Sequence, residues 1–259
     1  MPKGLKMTPI SRRRLLAQSG VVAAAVPLGA TAAAAAPPIR APKVLVIGAH
    51  PGDPEAGCGG TMARYADAGH DVVALYLTRG EAGIAGKTHE QAAAIRTAEA
   101  EAACRVLKAR PAFVGQLDGA TEVNAARAES FAKLVAAEKP DVVFTQWPLD
   151  THADHRACAS LTCDAWLRSR RAFALYFYEV DLGSDTQCFR PTHYVDVTAT
   201  EGRKRAACMA HASQNPAGPR GFYDKDHVPM LRFRGMESGF KSAEAFIHHD
   251  QRPPGLLPE

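Results

Sequence analysis

Two short stretches hold most of the groups that could do chemistry. IGAHPGDPE, from Ile47 to Glu55, places His50, Asp53 and Glu55 within six residues, and DTHADHR, from Asp150 to Arg156, adds Asp150, His152, Asp154 and His155. Imidazole nitrogen and carboxylate oxygen are the donors that suit a divalent ion such as Zn2+. A catalytic ion needs three protein ligands and one open position, and a His/Asp/His set is available from these two stretches. His152 and His155 are three residues apart, so both can face one side of a helical turn.

Other chemistries lack their signatures. No GxSxG elbow surrounds any serine, and Ser130, Ser160 and Ser169 fall in helical patterns. No GxGxxG follows the first strand, and no CxxC marks a thiolate metal site. The six cysteines (58, 104, 158, 163, 188, 208) are open to two readings, disulfides or small buried residues, and spacing does not choose between them.

The elements that must position these groups alternate. Lys43–Gly48 and Asp71–Leu77 read as buried strands, Ala112–Val114 as a short one and Asp141–Trp147 as a third strong one. Ala174–Glu179 and His193–Val197 follow as late strands. Helices are expected over Gly59–Gly69, His89–Ala109, Thr121–Lys139, His152–Arg168 and Thr200–Ser213. The stretch Asn215–Arg234, rich in Pro, Gly and charge, reads as loop. Alternation of this kind predicts an α/β domain with a mainly parallel sheet. In such sheets ligands sit outside the carboxyl ends of the strands. His50 and Asp53, Thr78–Glu81, and Asp150–His155 all lie at such ends and should converge on one edge.

The first 36 residues read as an address. Ser11-Arg12-Arg13-Arg14-Leu15-Leu16 resembles a twin-arginine export signal, followed by a mild apolar stretch and an alanine run. A linker is expected over residues 37–42 and the domain over 43–259. The formal charge of +4 resides largely in the leader. Without it, Lys+Arg falls from 31 to 26 against 27 Asp+Glu, which gives no argument for a nucleic-acid partner. Export through the twin-arginine machinery implies a periplasmic or extracellular location.

GAHPGDPEAGCGGTMARYADAGHDV resembles the opening motif of the LmbE-like (PIG-L) superfamily of zinc-dependent N-deacetylases, and HADH at 152–155 resembles its HPDH. LTRGEAG (77–83), RTAEAEAACRVL (96–107), YVDVT (194–198), HASQ (211–214) and SAEAF (242–246) extend the resemblance over residues 43–247. It implies a Rossmann-like three-layer sandwich that hydrolyses an N-acetyl amide, on an amino-sugar-type small molecule or glycan. It implies His50, Asp53 and His155 as zinc ligands, with another divalent metal as a possible substitute. His152 is implied as the acid or oxyanion-stabilising group, and Asp154 could tune it.

Gly52 departs from the pattern, because the family places its general-base Asp there. Three readings follow. Another carboxylate takes over, with Glu81 preferred and Asp150 and Glu55 as rivals. Or His152 carries both proton steps, or the metal alone activates the water. Or the protein is a catalytically impaired, metal-dependent sugar binder. Arg79 and Asp150 are expected to contact substrate. Arg96 and Glu99 are expected to pair structurally, and His211, Ser213 and Gln214 to serve either packing or the pocket.

Overall fold

The structure, a computed structural model, describes residues 41–180, 186–215 and 223–250. The export-signal reading of residues 1–36 and most of the linker lie outside them. Seven strands form one sheet: β1 (Lys43–Gly48), β2 (Asp71–Tyr76), β3 (Arg110–Phe113), β4 (Val142–Gln146), β5 (Ala174–Tyr178), β6 (His193–Asp196) and β7 (Ala243–His248). Their order is β3-β2-β1-β4-β5-β7-β6. The first five run parallel, and β7 pairs antiparallel with both β5 and β6.

The strands are buried on both faces, so they read as continuous apolar runs. Alternate side chains feed two cores. Val44 and Val46 of β1 pack under α1 (Asp53–Asp67), α2 (His89–Leu107) and α5 (Glu201–Ala210), with Met62, Ala103 and Ala207. Leu45 and Ile47 pack under α3 (Ala125–Glu138) and α4 (Ala153–Arg168), with Phe131 and Leu161. This gives the expected α/β three-layer fold. Chain order reverses between β1 and β4, so a crevice opens beyond their carboxyl ends. Both motif stretches leave the sheet there.

Three elements differ from expectation. Helix α1 starts at Asp53 rather than Gly59. Gly52 takes φ 109°, which turns the chain abruptly out of β1, and the Glu55 carboxylate accepts the Gly52 N–H. Part of the expected loop is helix α6 (Val228–Ser238). Pro229 lies in its first turn, where a missing N–H costs nothing, and Gly239 at φ 81° ends it. Strand β7 was not foreseen, because the charge of Glu244 interrupts its apolar alternation.

That glutamate is fully buried and paired. Lys204 Nζ lies 2.6 Å from Glu244 Oε1, and the Gly60 and Thr61 N–H groups each donate to the carboxylate at 2.8 Å. The pair ties α1, α5 and β7 together. Gly60 is required for the approach: a Cβ there would lie 2.6 Å from Val197. Glycine at position 60 therefore serves close packing of α1 against Val197. All six cysteines are unpaired.

Lys204→Met should leave the Glu244 charge buried without its cation. We expect a loss of about 3–5 kcal/mol in urea unfolding, with the substitution Met236→Ala on the exposed face of α6 as a near-neutral control.

Candidate metal centre and active-site cleft

Asp53 is the first residue of α1 and is buried beneath the end of β1. Its Oδ2 accepts the His50 N–H at 2.7 Å and Gln146 Nε2–H at 2.9 Å. The other end of the Gln146 amide accepts the Ala49 N–H at 2.9 Å. One side chain of β4 thus fixes both the exit of β1 and the carboxylate that follows it.

Two rings face that oxygen. His50 Nδ1 lies 3.2 Å from Asp53 Oδ2, and His155 Nε2 lies 3.5 Å from it. Donor atoms around a tetrahedral zinc, at about 2.0–2.1 Å from the ion, stand roughly 3.3 Å apart. The Asp53–His50 and Asp53–His155 separations match that spacing. Two groups of donor atoms gather within 4.8 Å of one another, His50/His152/His155 and His50/Asp118/Asp154, and Asp53 belongs to neither.

Hydrogen bonding separates the histidines. A neutral imidazole has one lone pair. His155 Nδ1 lies 3.0 Å from Asp150 Oδ2, so Nδ1 carries the proton and Nε2 keeps the lone pair toward Asp53. His152 is the N-cap of α4 and its Nδ1 accepts the Asp154 N–H at 3.2 Å. Its lone pair is spent, and Nε2 is left as an N–H donor. His152 therefore suits donation to an oxygen rather than ligation, and the trio of His50, Asp53 and His155 is the better metal set. The neutral form of His152 is favoured further. Burial, then the neighbouring His155 and His50, push its pKa down.

The other shifts describe a nest built to hold positive charge. Burial, the largest effect, opposes ionisation of Asp53, yet His155 and His50 hold its pKa well below the carboxylate range. Burial likewise opposes charge on His50, but Asp53, Asp118 and Asp154 push its pKa well up. Burial also works against His155, and Asp53 and Asp150 raise it. A divalent ion held by these residues would supply that charge and displace any ring proton.

The remaining expected residues fall in different places. Asp150 does not line the cleft. It is buried, holding His155 Nδ1 and accepting the His152 N–H at 2.7 Å, so it supports the rings rather than touching substrate. Asp154 orients His152 through its backbone N–H and its charge acts to raise the His152 pKa, but its carboxylate is bonded elsewhere. That group meets His50 Nε2 at 3.2 Å, the Gly119 N–H at 2.7 Å and the Thr121 hydroxyl at 2.6 Å. Glu81 lies off the cavity wall, and its Oε2 accepts the Arg79 and Asp118 N–H groups. Arg79 is exposed and its guanidinium sits 5.5 Å from the centre of the Phe113 ring. Neither lines the cavity, although Ala82 and Gly83 of the same loop do.

A cavity of about 480 Å³ opens over the trio. Its wall includes His152, Asp118, Arg96, His211 and His227. Asp118 was missed, although it follows β3 at the same sheet edge; its Oδ1 lies 3.1 Å from His50 Nε2. Arg96 was expected to pair with Glu99. The two lie 3.8 Å apart, but Arg96 also donates to the Pro51 carbonyl and faces the cavity, while Glu99 accepts from Ser213.

Residues 45–166 match the family model PIG-L, GlcNAc-PI de-N-acetylase. The chain belongs to the PIG-L (LmbE-like) family. The PIG-L match runs from β1 through most of α4 and so contains the whole trio. The diacetylchitobiose deacetylase of Thermococcus kodakarensis is 28% identical over 218 residues, covering 78% of this chain and 81% of that protein. A conserved protein of Thermus thermophilus superposes with a TM-score of 0.70 at 30% identity, covering 84% of this chain and 97% of that one. The N,N'-diacetylchitobiose deacetylase of Pyrococcus horikoshii shares the fold, with a TM-score of 0.70 at 24% identity over 81% of this chain and 84% of that one.

The backbone at Gly52 carries a consequence of its own. At φ 109° an L side chain is strained whatever space it meets. Gly52→Asp, the substitution that would write the common family motif into this chain, should lower stability by about 1–3 kcal/mol, read as a fall in thermal midpoint.

Proposed function

We propose that this protein is a zinc-dependent N-deacetylase that removes an acetyl group from the nitrogen of an amino-sugar substrate. The observation that carries the reading is Asp53 Oδ2 with His50 Nδ1 at 3.2 Å and His155 Nε2 at 3.5 Å on the wall of an open cleft. Deacetylase relatives of the PIG-L family support the reaction class. The donor set fits a divalent ion of the zinc type, with two imidazole nitrogens and one carboxylate oxygen. When bound, the ion supplies Lewis acidity toward the acyl carbonyl and toward water.

The chain's own side chains do the rest. Asp150 and Asp154 hold His155 and His50 in ligating orientation. His152 offers its Nε2–H to the acyl oxygen as negative charge develops there, which stabilises the transition state more than the ground state. Arg96 and Asp118 supply a donor and an acceptor on the wall for the hydroxyls of a sugar. Export by the twin-arginine route, proposed from the leader, suits a domain that folds around an ion before it crosses the membrane. Among the described residues no helix is long and apolar enough to span a membrane.

Metal analysis and acetate release test this together. Asp53→Ala or His155→Ala should leave the purified protein without stoichiometric zinc. His152→Ala should retain zinc and lose roughly 10²–10⁴-fold in kcat. Asp150→Asn should weaken zinc affinity by about 10–100-fold. Zinc-loaded wild type that releases no acetate from a panel of N-acetylated amino sugars, yet binds one of them, would replace the deacetylase with the sugar-binding reading that Gly52 raises.

Export has a separate readout. Replacing Arg12 and Arg13 with lysine should hold the full-length precursor inside the cell, and unchanged appearance outside it would remove the twin-arginine assignment.

A further inference from the structure

Amide hydrolysis needs an acceptor for a proton of the attacking water, and position 52 has no side chain to provide one. The carboxylates around the trio are committed. Asp53 Oδ2 faces both ligand rings and two N–H donors. Asp118 is held between His50 and the Ala82 N–H, and Asp154 between His50, Gly119 and Thr121. Asp150 is turned away under His155. The lone pair of His152 belongs to the Asp154 N–H.

His211 is different. It is 2% exposed and forms part of the cavity wall, yet neither ring nitrogen has a hydrogen-bond partner. Nε2 has the Glu55 carboxylate near it at 3.4 Å, Nδ1 has no such group, and a buried imidazole without a hydrogen bond calls for an explanation. Its ring also stands at the vacancy. A Cβ built on Gly52 would have the Cδ2 and Cγ atoms of His211 as its nearest neighbours, both at 3.8 Å.

The ring is held from outside by its backbone. His211 ends α5, and the following single turn of 3-10 helix, Ala212–Gln214, is pinned to α2. The Ser213 N–H and hydroxyl donate to the two oxygens of Glu99 at 2.6 and 2.7 Å. The Gln214 amide donates to the Gly83 carbonyl at 3.0 Å, and Asn215 Nδ2–H donates to the His211 carbonyl at 3.0 Å. Behind the ring lies Glu55, fully buried. Its Oε1 is 3.4 Å from His211 Nε2 and accepts the Tyr76 hydroxyl at 2.6 Å. Glu55 is the nearest carboxylate for a proton on Nε2, and that tautomer leaves the Nδ1 lone pair open.

We propose that His211, positioned by Glu55, is the proton acceptor that takes the place of the side chain missing at Gly52. This rests on the deacetylase reading above. As water attacks, one of its O–H bonds breaks and that proton passes to the His211 ring. The water oxygen bonds to the acyl carbon. The C–N bond then breaks with its electron pair on nitrogen, which takes the proton from His211, and the second water proton leaves with the acid. Amide and water go to carboxylic acid and amine, with no other reactant. Glu55 stabilises the transient imidazolium and is a positioning residue.

The test uses zinc-loaded, full-domain protein. His211→Ala should lose about 10²–10⁴-fold in kcat, keep its zinc content and hold KM within about threefold. Added imidazole should restore part of that rate in His211→Ala and not in wild type. His211→Gln, which preserves bulk, should be as slow and should not respond to imidazole. Glu55→Gln should lower kcat by about 10–100-fold with KM unchanged. A His211→Ala rate within about threefold of wild type, or a loss that imidazole does not restore, overturns the proposal. If wild type itself hydrolyses no N-acetyl amide, the deacetylase reading has failed, and ring-nitrogen NMR with acetate as probe decides about His211. Movement of the His211 resonances on adding acetate places the ring against bound ligand. Fixed resonances, in wild type, overturn its role.

Discussion

A buried carboxylate has to be compensated, and Asp53 organises the site around that requirement. Its oxygen receives an N–H from the turn that follows β1, an amide from β4 and the faces of two histidines. These groups arrive from both sides of the point where strand order reverses. If the register of β1 against β4 moved by one residue, Gln146 would turn to the other face of the sheet and the compensation would be lost. The parallel pairing Val44↔Val142 through Ile47↔Thr145 is thus a condition for the site as well as for the core.

Charge then decides the chemistry. Carboxylates surround His50 on both its nitrogens, and His155 is set between Asp53 and Asp150. Such a nest stabilises positive charge, either as protons or as an ion that displaces them. His152 stands beside the same rings, with centroids 4.8 and 4.6 Å away, but is held in the opposite role by one backbone N–H. Three histidines of identical composition are divided into two lone-pair donors and one proton donor by what each second nitrogen touches.

Gly52 joins the fold and the chemistry. A positive φ at that position ends β1 sharply, starts α1 immediately and points the Asp53 carboxylate under the strand. The same glycine removes a side chain from the cleft, and the vacancy is bordered by His211 from the far end of the chain. α5 therefore belongs to the site, although it lies outside the matched span of 45–166.

Sequence alone determined the layered α/β fold, because strands buried on both faces must be apolar throughout and their helices must cover them. It also picked out His50, Asp53, His152 and His155, since donor atoms on a tight turn and on a helix start are local facts. It did not determine α6 or β7: a proline in a first helical turn looks like a loop, and a buried Glu244 interrupts alternation unless Lys204 is known to meet it. Nor did it determine which polar groups face the cavity. Glu81, Arg79 and Asp150 had suitable positions along the chain, but Glu81 caps backbone N–H groups of its own and the next loop, Arg79 lies over Phe113, and Asp150 is taken up by His155. Asp118, Arg96 and His211 come from three separate loops and helices. Only packing brings them to one wall, because direction and burial of a side chain are set by neighbours far away in sequence.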